Sequence, residues 1–302
     1  MIYFNDLKKF LIQNFNNEVY LLNENYYDNK HLINSFIELD INNKNCNALM
    51  WINFKNKEKI KEINNGIIIA PNVDSSYFDK NFNGVYIVCD NPRYVFASCV
   101  NFIFGKKNNL IENNFYNYKN VKIGKGTIIE DNVDIGEGTV IGYNNVIYSG
   151  TIIGKNCSIV SNNTIGGCGF GYEKNIKTGL LEKIAHIGNV IIKDNVDIGS
   201  NNCIDKAVLG STVISENSKI DNLVHIAHNV KVGKNCTIIA NSMVAGSVII
   251  SDDSWVAPSS SIKNGIEIKQ NSIIGMGSVV IRDVGEGCIV AGVPAKLLRY
   301  NK

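Results

Sequence analysis

The 302-residue chain is poor in proline (4), tryptophan (2) and histidine (4), and it has no surplus of either charge. Thirty basic residues stand against 28 acidic ones, a formal +2, with no basic block anywhere. Neither a nucleic acid nor a charged membrane surface is therefore an expected partner. Its apolar runs stop short of the ~18 residues that a membrane-spanning helix requires. The opening Met1-Ile2-Tyr3-Phe4-Asn5-Asp6 lacks the basic, apolar, small-residue order of a secretory signal. The eight cysteines are scattered, with no Cys-x-x-Cys and no Cys/His pair at zinc spacing. Reduced thiols in a soluble cytoplasmic protein, and no metal, are the expectation.

What the chain does have is glycine and asparagine, 26 and 46 residues. In the second half the asparagines fall at fixed offsets, which composition bias alone does not produce. The offsets follow an aliphatic residue that returns every six positions from Ile123 through Ile129, Ile135, Ile141, Ile147, Ile153 and Ile159 to Ile165. The phase breaks across 167–187, resumes at Ile192, Ile198 and Ile204, and slips by four residues within Asp205 to Gly210. It then runs without a gap from Ile214 to Val280.

A period of six is neither the 3.6 of a helix nor the 2 of an amphipathic strand. It is the hexapeptide signature of a parallel β-helix, in which three units close a triangular coil of about 18 residues. The recurrent Ile or Val points into the prism, and the Gly, Asn and Asp that follow it supply corners that tolerate positive φ. Such a prism cannot cover its own ends and lateral faces, so caps and oligomers are expected.

Residues 1–105 lack this period. Strands are expected at 66–70 and 84–89, and a helix after Asn91-Pro92, with proline in its first turn. A small α/β domain over 1–115, its end formed by a polar linker at 106–120, would thus precede a β-helix over 116–302.

Of the four histidines, His225 and His228 lie in Asp221-Asn222-Leu223-Val224-His225-Ile226-Ala227-His228-Asn229-Val230. With Ile226 inward, His228 falls at an outer corner, where packing gives no reason for an imidazole. Gly246 is 18 residues further on, one coil along the prism.

This segment closely resembles the catalytic motif Ile-Asp-Asn-Leu-Val-Gln-Ile-Ala-His-Asn-Val of the UDP-3-O-(3-hydroxyacyl)glucosamine N-acyltransferases of lipid A synthesis. Here the Gln has become His225. Gly167-Cys168-Gly169-Phe170-Gly171-Tyr172 and Val196-Asp197-Ile198-Gly199-Ser200-Asn201 are similar to the same family. Val88-Cys89-Asp90-Asn91-Pro92-Arg93 resembles part of its uridine-binding domain.

The resemblance implies a left-handed β-helix, a homotrimer with clefts between prisms, and N-acyl transfer to a nucleotide-linked amino sugar. It makes His228 the general base, Asp221 its orienting acid, and Gly246 the backbone N–H donor to the thioester oxyanion. Asn222, Asn229, Asn53, Trp51 and Tyr172 become candidate substrate-binding residues. His186, inside the phase break, receives no role.

Three departures bear on the substrates. Lys263-Asn264-Gly265-Ile266 stands where the family has Asn-Gly-His. In Met50-Trp51-Ile52-Asn53-Phe54 the Asn matches a base-contacting residue, but the stacking aromatics have moved, so Trp51 and Phe54 are either replacements or core. The end of the chain, Ala291-Gly292-Val293-Pro294-Ala295-Lys296-Leu297-Leu298-Arg299, is similar to the closing motif of coenzyme A-dependent hexapeptide acetyltransferases. By that likeness Gly246, Ala291, Lys296 and Arg299 would bind the donor, an acyl-CoA such as acetyl-CoA. The alternative is the lipid A enzyme itself, with a hydroxyacyl-acyl carrier protein as donor. A non-catalytic hexapeptide scaffold is a third reading, one that gives His228 no work.

Overall fold

The structure is a computed structural model, and it describes residues 2–27, 31–37, 45, 47–104 and 118–301. The expected boundary at 115 and most of the 106–120 linker lie outside these residues. Two compact units are present: one within 1–108 together with Phe170–Ala185, the other within 109–169 together with 186–302.

The first unit is α/β. Asn65–Pro71 and Asn83–Cys89 pair in parallel at the centre of a five-stranded sheet. Val19–Leu22 lies antiparallel on one side, and Ala48–Trp51 and Ser35–Phe36 lie parallel on the other. The central strands read as continuous apolar runs, Ile67 to Ala70 and Val85 to Val88, and all of these residues are buried. That is the pattern of strands covered on both faces. The expected helix is Pro92–Phe104, and the Asn91 side chain accepts from Tyr94 N at 3.1 Å to cap it. A second helix, Phe4–Phe15, buries Phe4, Leu7, Leu11 and Phe15.

Phe170–Ala185, expected within the β-helix, instead group with this unit. The segment has no six-residue period, so its backbone must find partners elsewhere. Tyr172–Lys174 and Leu181–Lys183 form a hairpin. Asn101 donates to Lys183 O at 2.8 Å and accepts from Ala185 N at 2.9 Å, and Arg93 meets Glu173 at 3.1 Å.

The second unit is the parallel β-helix that the period predicts. Its strands stack into three sheets in registers that pair Ile220 with Ile238, Ile226 with Val244 and Val232 with Ile250, each a step of one 18-residue coil. The inward aliphatics from Ile141 to Val280 are buried in one continuous ladder. Ile123, in the first coil, is 42% exposed, its strand lying at the edge of its sheet among the described residues. Three residues after most inward positions the chain enters the left-handed region, at Asn132, Asn144, Asn156, Asn195, Asn217, Asn229 and Asn235 among others. The fixed asparagine offsets are thus corner chemistry, since Asn tolerates this conformation better than other side chains.

One residue further on lies a second buried ladder that the hydropathy pattern hides, because it mixes polar residues with apolar ones such as Val133, Val196 and Val248. Thr139, Asn145, Asn163, Ser218 and Ser260 are all buried. Their side chains donate to corner carbonyls, as Thr139 does to Gly154 O at 2.8 Å and Ser218 to Gly233 O at 2.7 Å. Among the described residues, no helix is long and apolar enough to cross a membrane.

Candidate functional site

His225–Ile226 is one rung of a prism face, with Cys203–Lys206 one coil before it and Met243–Val244 one coil after it. His228 and Gly246 therefore occupy the same corner on successive coils. The contact between them is direct: a Cβ built on Gly246 would lie 2.6 Å from His228 Nε2 and 2.7 Å from Cε1. Gly246 has no left-handed φ that would demand glycine. The imidazole does demand it, because no larger residue leaves room for the ring.

The ring's other nitrogen fixes its tautomer. His228 Nδ1 lies 3.2 Å from Asn229 Oδ1. That oxygen already accepts from Val208 N at 2.9 Å, while the amide Nδ2 donates to Leu209 O at 2.8 Å. The oxygen can only accept, so Nδ1 carries the proton and the Nε2 lone pair faces the Gly246 corner. Asn229 also ties down the four-residue slip in the repeat, since 208 and 209 are the residues it holds.

The Gly246 N–H donates to no group of the chain among the described residues, although Gly246 O accepts from Gly265 N at 3.0 Å. At some equivalent corners a side chain caps this N–H, as Asn222 does at Ser200, Asp252 at Lys234 and Asp221 at Ala240, whereas at others, such as Asp194, Glu216 and Asp252, no described group does. An uncapped N–H beside a basic imidazole nitrogen can serve an anionic oxygen while a proton is removed next to it.

Within the chain, Asp221 is not brought to His228. Its Oδ1 accepts from Asn222 N at 2.8 Å and Nδ2 at 2.9 Å, and its Oδ2 accepts from Ala240 N at 3.2 Å. Asn222 in turn caps Ser200. Between Asn222 and Val224, Leu223 is 59% exposed at φ 58°, a conformation costing a non-glycine residue about 1–2 kcal/mol.

The carboxylate that does lie beside an imidazole of this segment is Asp205, which the sequence motif does not mark. Its Oδ2 lies 3.7 Å from His225 Nε2. Burial pushes its carboxyl up, opposed by the charges of His225 and His228. The only trace in the sequence is its place at the start of the four-residue slip, one rung before His225. His186 also belongs here: it is buried, with its ring edge-on to His228 at 5.5 Å.

A histidine also stands beside a cysteine, which the linear spacing did not suggest. Cys203 pairs in register with His225. Burial and the Asp205 carboxylate push this thiol up, away from the thiolate a nucleophile needs.

The remaining candidates lie elsewhere. Ala291 is half-buried in the strand Cys288–Gly292, which folds back on Ala295–Tyr300, and Lys296 and Arg299 are exposed on that returning strand. In the first unit, Asn53 Oδ1 accepts from Asn56 N at 2.9 Å and caps a short helix. Trp51 stacks on Phe96 at 6.3 Å, while Phe54 is 62% exposed under Lys57. Tyr172 is 38% exposed beside Phe170. Among the described residues, no group of His, Cys, Asp and Glu could hold a metal ion.

A family model described as "Bacterial transferase hexapeptide (six repeats)" matches residues 211–246, the stretch that contains His228 and Gly246. The chain is 37% identical to a UDP-3-O-acylglucosamine N-acyltransferase from a Caulobacter species, over 45% of this chain and 39% of that protein. It is 38% identical to one from Campylobacter lari, over 44% and 41%. The match thus spans about two fifths of these curated relatives. Among solved structures, LpxA from Acinetobacter baumannii superposes with a TM-score of 0.52 at 26% identity, over 60% of this chain and 67% of that one. A UDP-N-acetylglucosamine acyltransferase from Campylobacter jejuni, at 23% identity and a TM-score of 0.51, shares the fold. The chain carries a left-handed β-helix of the hexapeptide-repeat type and is similar over 135 residues to a UDP-3-O-acylglucosamine N-acyltransferase.

Proposed function

We propose that the chain is an N-acyltransferase acting on the amine of a nucleotide-linked sugar, with UDP-3-O-acylglucosamine as the acceptor. The observation that carries this reading is the pairing of His228 Nε2 with the uncapped Gly246 N–H. The acceptor amine attacks the thioester carbonyl, the Gly246 N–H steadies the tetrahedral oxyanion, and His228 takes the proton the amine loses. Collapse of the intermediate expels the thiolate, which leaves as the thiol once protonated, and forms the amide. No acyl-enzyme is needed. A scaffold would have no use for a corner that excludes every side chain but glycine to seat an imidazole. A homotrimer fits the apolar side chains left on the outer faces, among them Met243, Ile249 and Trp255.

The resemblance to the lipid A enzymes implies a hydroxyacyl-acyl carrier protein as donor. The C-terminal hairpin, with Ala291 opposite Lys296 and Arg299 nearby, favours acyl-CoA instead. Calorimetric titration separates the two. Saturable binding of hydroxyacyl-acyl carrier protein with none of acetyl-CoA is the expected result. Binding of acetyl-CoA alone would overturn the carrier-protein reading and turn the search to short-chain acylation.

A further inference from the structure

We infer that His186 is a positioning residue of this site, a buried ring that holds the His228 imidazole in its working plane. Resting on the reading of His228 as the base, this gives work to a residue outside the motif. The second torsion of a histidine side chain is broad, so packing has to set the plane of its ring. Asn229 meets the His228 ring at one point, Nδ1, and Gly246 leaves room for its Nε2 end. Neither contact alone sets the plane. His186 supplies the missing restraint: its ring stands edge-on to His228, with 79° between the planes and 5.5 Å between centroids.

His186 is itself held in place. It is buried, and a Cβ built on Gly169 would lie 2.9 Å from its Nε2 and 3.3 Å from its Cδ2. Asp205 Oδ2 would be 3.2 Å from the same point. Gly169 is not in the left-handed region, so here, as at Gly246, neighbouring side chains and not the backbone require glycine. The backbone beyond His186 is pinned as well. Ile187 N donates to Val208 O at 3.0 Å, and Gly188 N donates to Ala207 O at 3.1 Å. Val208 N in turn donates to Asn229 Oδ1. Both neighbours of the His228 ring are thus tied to the four-residue slip, one through each side of Val208. The phase break and the slip in the repeat meet at the base.

Two measurements on the full-length chain test this. In the first, His186→Ala is expected to lower kcat by about 10–10²-fold with KM near wild type, since the freed ring is misplaced for proton transfer. His186→Phe keeps an edge-on ring and should recover most of that loss. Losses of kcat matched by equal rises in KM, or a Phe variant as slow as the Ala variant, would overturn the assignment.

The second needs no turnover, so it decides the positioning even if the chain transfers no acyl group. Crystal structures of His186→Ala and Gly169→Ala are compared with wild type. The first variant removes the edge-on ring and the second drives it from its seat. In either one the His228 ring should leave its wild-type plane, whereas His186→Phe should keep it. A His228 ring unmoved in both the Ala variant of His186 and Gly169→Ala would overturn the inference.

Discussion

Replacing Gly246 by alanine is expected to lower turnover by about 10²-fold or more while leaving the prism folded. The added methyl would fall 2.6 Å from His228 Nε2 and 2.7 Å from Cε1, closer than real Cβ atoms approach any neighbour. The obstructing atoms belong to a side chain, so the ring yields and the backbone does not. Gly246 is not in the left-handed region, so alanine carries no backbone strain there. The imidazole would be turned away from the lone pair's working direction, and a displacement near 1 Å costs rates of this order. Circular dichroism melting beside the kinetic assay separates the effects: an unchanged melt with lost turnover is expected. Full turnover would place the base elsewhere.

His228→Ala is expected to cost about 10²–10⁴-fold in kcat, the usual contribution of a positioned general base. His228 is half-buried at a corner, and among the described residues the one hydrogen-bonding contact of its imidazole is to Asn229. Asn229 keeps its bonds to Val208, Leu209 and Thr212 without the imidazole, so the slip in the repeat should stay anchored. The variant should bind both substrates with affinity near wild type. A loss of binding equal to the loss of rate would instead mean that His228 holds substrate.

The prism was legible because its geometry is one-dimensional. An inward aliphatic every six residues and a left-handed corner three residues later leave a mark at each step, and the offset from His228 to Gly246 is one coil by arithmetic. Asp205 was hidden for the opposite reason. Its coil is four residues longer, so a fixed 18-residue step misses it, and only the pairing of Ile204 with Ile226 restores the register. His186 sits at the end of a segment with no period, and its approach to His228 depends on where that segment returns to the prism.

Asp221 illustrates a different limit. A motif match assigns it a partner, whereas its hydrogen bonds within the chain show its carboxylate bracing the corners at Asn222 and Ala240. Asn229 was legible as a corner residue. That its amide also sets the imidazole tautomer follows only from the positions of Val208 and Leu209, which the phase slip brings into reach.

The measurement that tests the account most directly is mass-spectrometric detection of product from the purified chain. It would be incubated with UDP-3-O-acylglucosamine and either hydroxyacyl-acyl carrier protein or acetyl-CoA. One acyl group gained on the sugar amine is expected, with no acyl group left on the protein, and loss of that product in His228→Ala. Absence of product with both donors, or equal product from His228→Ala, would contradict it.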